Sequence, residues 1–225
     1  GYPGIPVSNG QANFESGSVS SKGWLVANTT TLGKNFDSQW FKGRVPEDVV
    51  FNQIPTNLVE GNFFTSGGQE SYGYYWYRFD GSASNLDLTI NNPINLGSRK
   101  VILFVDSANL YLNGNINLTD GQGFFLAVVG KNAAGNKGNL FIGSGVGEIE
   151  GLFVADSTVR TGAGSSQLRV RGAITAYLGI FFERDLGGLA NNTTPAEIFE
   201  YAPDLDILYP PKLSYYHIRW KEVAP

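Results

Sequence analysis

The residues best suited to chemistry are five acids, Glu148, Glu150, Asp156, Glu183 and Asp185, interleaved with Arg160, Arg169, Arg171 and Arg184. Two carboxyls set about 5–10 Å apart across a glycosidic bond can hydrolyse it as acid and base, or as acid and nucleophile. A polysaccharide lyase would instead set acidic calcium ligands beside a basic residue. Every acid in this group has an arginine close by in the predicted fold, so structural ion pairing is the expectation and catalysis its rival. The calcium patterns DxDxDG and GGxGxD do not occur. A Ser–His–Asp triad would have to use His217, the single histidine, which sits in a strand-like aromatic tail, Tyr215 to Trp220. No GxSxG elbow or GxxxxGK[ST] loop is present, and the glycine run Gly143 to Gly147 precedes no helix. The expectation is a non-enzyme with no catalytic, cofactor-binding or metal-binding residues.

Aromatic rings are the second chemical resource. Tyr74, Tyr75, Trp76 and Tyr77 lie within the run Tyr72 to Phe79 and are candidates for a ligand-stacking platform, since flat rings lie against pyranose faces. Trp24, Trp40 and Trp220 extend that candidate surface. The run alternates poorly between apolar and polar, so the competing expectation is a strand packed on both faces.

Composition narrows the function further. The 225 residues contain no Cys, which excludes disulfides, thiol nucleophiles and Cys-ligated metals within the chain. Sixteen basic and 20 acidic residues give a net charge of −4, which argues against a nucleic-acid partner. No apolar stretch approaches the 18 residues of a membrane span. The chain opens GYPGIPVSNG without Met, the pattern expected of a mature or excised segment. Missing Cys and Met beside abundant Gly, Asn, Ser and Thr predict an extracellular or cell-surface location.

The elements that must position these side chains are short strands. Leu86 to Ile90, Ile94 to Leu96 and Val101 to Val105 are followed by the same order: Leu110 to Leu112, Ile116 to Leu118, Phe124 to Val129. The offsets are 24 for Leu86 to Leu110, 22 for Ile94 to Ile116 and 23 for Ile102 to Phe125. Further rounds run through Leu140-Phe141-Ile142, Leu152 to Ala155, Thr158 to Arg160, Leu168 to Arg171 and Leu178 to Phe182. Three strands per round with a period in the low twenties predict an all-β fold, a parallel and right-handed β-helix of about four to five coils. Asn91, Asn113, Gly114, Gly121, Gly143 and Gly172 are the expected corners, because tight corners demand left-handed backbone values. A β-sandwich is the alternative, as its turns recur at similar spacing.

Two tripeptides 21 residues apart sharpen the register. Glu148-Ile149-Glu150 and Arg169-Val170-Arg171 would stack with Ile149 on Val170 inside, and with Glu148 on Arg169 and Glu150 on Arg171 outside. Exposed pairs contribute only about 0.2–1 kcal/mol each, but a one-residue slip would lose them.

The expected organisation is a loop-rich aromatic N-terminal cap over 1–85, the solenoid over 86–186 and a C-terminal cap over 187–225, all one cooperative unit. Short helices are predicted from Phe36 to Lys42, capped by Asp37 or Ser38, and from Ala196 to Tyr201, where Thr194 and Glu197 form a capping box. Pro46-Glu47-Asp48 suits a single turn, and Tyr215 to Val223 a final strand. The N-terminal region is expected to cap the end of the solenoid opposite the C-terminal cap. Sequons stand at Asn28, Asn117, Asn191 and Asn192, with Asn28 the one suited to glycosylation.

Several phrases carry a family likeness: Ser21-Lys22-Gly23-Trp24-Leu25, Gly73-Tyr74-Tyr75-Trp76-Tyr77, Arg184-Asp185-Leu186, Asn192 to Glu197 and the closing Trp220 to Pro225. On these the chain resembles uncharacterised exported proteins of candidate-phylum bacteria, across nearly its whole length. The resemblance implies a surface location and the C-terminal part of a longer precursor; it implies no activity. The function expected is a rigid surface scaffold that self-associates, head to tail or by strand insertion of Gly1 to Asn9, or that mediates adhesion. A carbohydrate-binding module with a surface polysaccharide partner is the alternative, and a polysaccharide-active enzyme comes third.

Overall fold

The computed structural model describes residues 2–3, 7–8, 13–14 and 36–214. Its strands stack as a β-solenoid of about five turns built on two long ladders. The first ladder holds Asn52–Gln53, Tyr74–Asp80, Lys100–Asp106, Phe124–Val129, Glu148–Ala155 and Leu168–Ala176, each parallel to the next. The second holds Leu58–Glu60, Leu88–Asn91, Leu110–Leu112, Leu140–Ile142, Thr158–Arg160 and Gly179–Phe182, again all parallel. A third face starts with Ile94–Gly97 and Ile116–Leu118 and is then taken over by the N-terminal halves of the two longest strands: Ile116 pairs with Ile149, and Glu148–Ala155 pairs with Leu168–Ala176 over eight rungs.

Two of the three sequence offsets need correction. Leu110 pairs with Leu88, not with the exposed Leu86, and Ile102 pairs with Leu126 rather than Phe125. A one-residue shift sends every side chain to the other face. The register seen places Val101, Leu103 and Val105 over Phe125, Ala127 and Val129 in one buried interior cluster. Ile94 pairs with Ile116 at the expected spacing of 22.

The middle strands of the first ladder, Lys100–Asp106 and Phe124–Val129, are buried on both sides, which explains why they read as unbroken apolar runs. The ladder's outer face carries Tyr74, Trp76, Ile102, Phe104, Phe124, Leu126 and Val128 in a second core. Helix α1 (Ser38–Lys42) covers part of it with Phe41, and Asp37 caps the helix by accepting from the Trp40 amide at 2.9 Å. Alongside runs a strap, residues 202–214, containing helix α3 (Pro203–Ile207) and burying Ala202, Leu205 and Leu213. The Tyr74 hydroxyl donates to the Leu208 carbonyl at 2.7 Å, so the strap reaches back from the last coil to an early one.

Asp156 bolts α1 to the stack. Its carboxylate accepts from the Ser38 amide (2.8 Å), the Ser38 hydroxyl (2.6 Å) and the Lys131 amide (3.1 Å). One coil below, Gly130 leaves the space that Ser38 fills, since a Cβ there would meet Ser38 Oγ at 2.8 Å. Lys42 closes the other end of the helix on Asp106 at 2.6 Å. Asp156→Ala is expected to cost about 2–4 kcal/mol, because it leaves buried donors without an acceptor. A urea titration should show the lower midpoint, and hydrogen exchange should show residues 36–44 opening first; unchanged protection there would refute the bolt.

The coils continue on both sides of the 86–186 bounds, from Asn52 to Tyr201. The helix expected at Ala196 to Tyr201 is instead a strand, Glu197–Tyr201, parallel to the first half of Leu168–Ala176. Six residues make a marginal helix, and the open edge of the preceding strand offers the same backbone groups a ladder. Glu197 turns from its capping role to accept from the Thr161 hydroxyl (2.8 Å) and the Arg184 amide (2.9 Å). The helical turn there lies earlier, as α2 (Ala190–Thr193).

The region 1–85 is divided between the two ends of the stack. At the first coil the core is closed by the 3₁₀ turn Gly61–Phe64, whose Phe64 ring lies 5.0 Å from that of Tyr77. The first residues of the chain lie at the opposite end. Val7–Ser8 pairs in parallel with Thr175 and Ala176, Asn13–Phe14 with Phe181 and Phe182, and Tyr2–Pro3 antiparallel with Glu200 and Tyr201. Backbone groups left open by the last coil on all three faces account for this placement. Trp24, Asn28, His217, Trp220 and the strand expected at Tyr215 to Val223 lie outside the described residues.

Candidate functional site

The stacking of Glu148-Ile149-Glu150-Gly151 on Arg169-Val170-Arg171-Gly172 brings the acids and arginines together residue for residue. Arg169 reaches Glu148 at 2.7 Å and, one strand further, Glu200 at 2.6 Å. Arg171 reaches Asp204 of the strap at 2.7 Å and Asp120 at 3.4 Å, with Glu150 at 3.8 Å. Glu150 is buried and also accepts from the Leu118 amide. Burial pushes its carboxyl above the usual range, opposed by that amide and by Arg171. The pair sites of the sequence are thus rungs of a charge ladder that ties three strands and the strap together.

The remaining acids are held just as fully. Glu183 pairs with Arg160 and accepts from the Gly162 amide at 3.1 Å. Asp185 accepts from the Asn191 side chain and from the Gly187 amide, which hold its carboxyl below the ordinary value. Asp156 is the α1 bolt. Each of the five carboxylates is thus engaged by an arginine, an amide or a hydroxyl. Among the described residues, no group of three or more His, Cys, Asp or Glu converges to hold a metal.

Glu200 makes the ladder pH-sensitive. The hydrogen bond from Arg169 lowers its carboxyl below the ordinary glutamate value of 4.5. A carboxyl lowered by folding contributes stability that is complete above its unfolded value and lost as pH falls through the folded one. Unfolding free energy is therefore expected to decline below pH 4.5, and Glu200→Gln should flatten that limb. Parallel profiles for the parent and the variant between pH 5 and pH 3 would contradict it.

Arg184 is a fully enclosed charge, only 4% exposed. Its guanidinium donates to the carbonyls of Thr161 (2.8 Å), Ser144 (2.6 Å), Gly143 (2.8 Å), Val146 (3.0 Å) and Ser166 (3.3 Å). Burial pulls its pKa down, with Glu197 opposing. It gathers the corner loops of three successive coils and is committed to backbone.

The ligand-stacking expectation is corrected at three of its four rings. Tyr74, Trp76 and Tyr77 are buried, Trp76 completely. The strand is covered inside and out, so Trp76 and Tyr74 serve the outer core and Tyr77 the inner one. Tyr75 alone is partly exposed and lines a cleft of about 410 Å³ with Thr65, Glu70, Ser98, Arg99 and Lys100. The Arg99 guanidinium lies over the Tyr75 ring at 3.2 Å and donates to the Gly67 carbonyl and the Tyr77 hydroxyl. Trp40 stacks under Arg44 at 4.2 Å and edge-on to Phe36 and Phe41.

No family model, curated protein or solved structure matches this chain. Its own geometry has to carry the functional reading.

One set of residues escaped the sequence reading. Asp87, Asn109 and Asn139 immediately precede second-face strands of successive coils, Thr158 opens the next one, and the four form a continuous ladder. Asn109 donates its backbone amide to Asp87 (2.8 Å), Asn139 donates to Asn109 (2.8 Å), and the Thr158 hydroxyl donates to Asn139 (2.7 Å). Lys137, in the loop that follows Phe124–Val129, closes on Asp87 at 2.8 Å. The signal was available: a short polar residue stands immediately before Leu88, Leu110, Leu140 and Val159. Asn91 with Asn113 (3.0 Å) and Asn95 with Asn117 (2.6 Å) make two shorter ladders outside.

Proposed function

We propose that this chain is a non-enzymatic structural protein of the cell surface or extracellular space, a rigid solenoid scaffold that assembles with itself or adheres. The observation that carries the reading is the continuous parallel stack, pinned at successive coils by side-chain ladders that consume its acids and amides. Such ladders fix spacing along an axis, which is what a spacer or fibre subunit needs and a catalytic groove does not. Among the described residues no helix is long and apolar enough to cross a membrane. Electron microscopy of the purified chain over a concentration series is expected to show end-to-end oligomers or filaments. A monomer at every concentration, with no binding to isolated cell envelopes, would overturn the reading.

The cleft beside Tyr75 favours a second reading, a module that binds an acidic surface polysaccharide. Arg99 and Lys100 flank the cleft, and among the described residues neither forms an ion pair. Calorimetric titration with a polyuronate should give binding that Arg99→Ala with Lys100→Ala abolishes. No heat with the parent chain removes this reading.

A further inference from the structure

The two ends of the solenoid are finished differently. At one end Asn52–Gln53 and Leu58–Glu60 close the paths of both ladders, with Leu58 and Val50 about half exposed. At the other end, each face of the last coil is paired to a short strand from the first 14 residues of the chain. These strands do not belong to the winding that builds the coils. Val7 meets Thr175 and Phe14 meets Phe182, whereas the next described segment, α1, is bolted to Asp156 and the chain then enters the first coil.

We propose that the edge of the last coil, formed by Thr175–Ala176, Phe181–Phe182 and Glu200–Tyr201, is the surface through which copies of this chain join. Each copy there takes the strands Tyr2–Pro3, Val7–Ser8 and Asn13–Phe14 of a neighbour in place of its own. The inference rests on the scaffold reading and names its joint. Three observations carry it. First, the partner segment is part of this same sequence, so a second copy offers the identical backbone partners, the condition that makes segment exchange a low-cost route to assembly. Second, the segment is held by two rungs at each of three places, against eight rungs between the neighbouring strands Glu148–Ala155 and Leu168–Ala176. It is held by far fewer rungs than the long strands hold one another. Third, the connection is long enough. Residues 15–35 can span at most about 70 Å, whereas six rungs spaced by about 4.8 Å stand only about 25–30 Å tall.

Concentration decides between the two arrangements. A tethered segment competes at an effective concentration in the millimolar range, so exchange is favoured where copies are crowded, as in a surface layer. Open edges that accept a donated strand are also how sheets recruit partners generally.

The absence of cysteine makes a direct test clean, because introduced thiols are the sole ones. Tyr2 and Tyr201 are Cα partners across an antiparallel pair, the arrangement that a disulfide can bridge. Full-length Tyr2→Cys and Tyr201→Cys chains would be mixed, concentrated and oxidised mildly. A non-reducing gel, with mass spectrometry of the linked peptides, would identify the bonds. The expected result is a heterodimer joined from position 2 to position 201. It should rise with concentration and exceed either homodimer at least tenfold, while the double variant forms covalent multimers. If the double variant closes only on itself and the mixture gives no heterodimer, exchange is overturned. If neither forms a bond while circular dichroism matches the parent, the pairing itself is overturned. Filaments by microscopy together with purely internal bonds would leave the scaffold reading standing and remove only this joint.

Discussion

Gly172→Ala is expected to lower stability by about 3–5 kcal/mol, an effect far larger than the loss of one methyl-sized space would suggest. The position sits where Leu168–Ala176 turns from the third face to the first, at φ +131°, a backbone value that residues with a Cβ rarely adopt. Directly beneath it Gly151 makes the same turn at φ +144°. A Cβ on Gly172 would lie 2.0 Å from the Gly151 carbonyl oxygen, so relief requires the two coils to separate. At about 2–4 °C per kcal/mol for a chain of this size, the melting temperature should fall by about 10 °C. The same substitution at Gly121, which also has positive φ but open space around its Cβ, should cost less. A loss at Gly172 no larger than that at Gly121 would refute the stacked contact as its cause.

Arg184→Met should cost about 3–5 kcal/mol for a different reason. Methionine fills much of the volume but donates nothing, which leaves the carbonyls of Gly143, Ser144, Val146, Thr161 and Ser166 without their shared donor. Arg184→Lys should recover only part of the loss, since an ammonium carries three donors and cannot reproduce the planar fork. Denaturant midpoints would give the totals, and hydrogen exchange should place the damage in residues 143–147 and 161–167. A uniform loss of protection across all coils would contradict a local clamp.

The solenoid was legible because its order is written into the apolar residues: Ile94 over Ile116 and Leu110 over Leu140 keep a stacking interior that composition alone would not reveal. The ladder of Glu148 with Arg169 was legible for a related reason, since complementary charges at a 21-residue spacing have few uses other than neighbouring coils. The register of Ile102 was not. Its strand is buried on both sides, so no alternation marks which residues face inward, and a shift of one is invisible in the sequence. The strand at Glu197–Tyr201 was hidden by a true local signal that lost to a long-range one. Capping chemistry favoured a helix, and an open edge 29 residues earlier favoured a rung, Leu168 with Glu197. The aromatic run misled in function for the same reason it is informative in structure. Tyr74, Trp76 and Tyr77 are large because the strand has two sides to fill.

Helix α1 and the strap over 202–214 carry a consequence for how the molecule comes apart. A bare solenoid behaves as a row of units that feel only their immediate neighbours, so it can fray rung by rung from an end. Here Lys42 and Ser38 join Asp106 to Asp156 across the rung between them, and the strap ties Tyr74 to Arg171 through Leu208 and Asp204. Couplings that skip neighbours penalise partial fraying, because losing one coil releases contacts made by several. Melting should therefore approach a single all-or-none transition, with calorimetric and van't Hoff enthalpies in agreement. A stack so cross-tied either keeps its full height or fails as a whole.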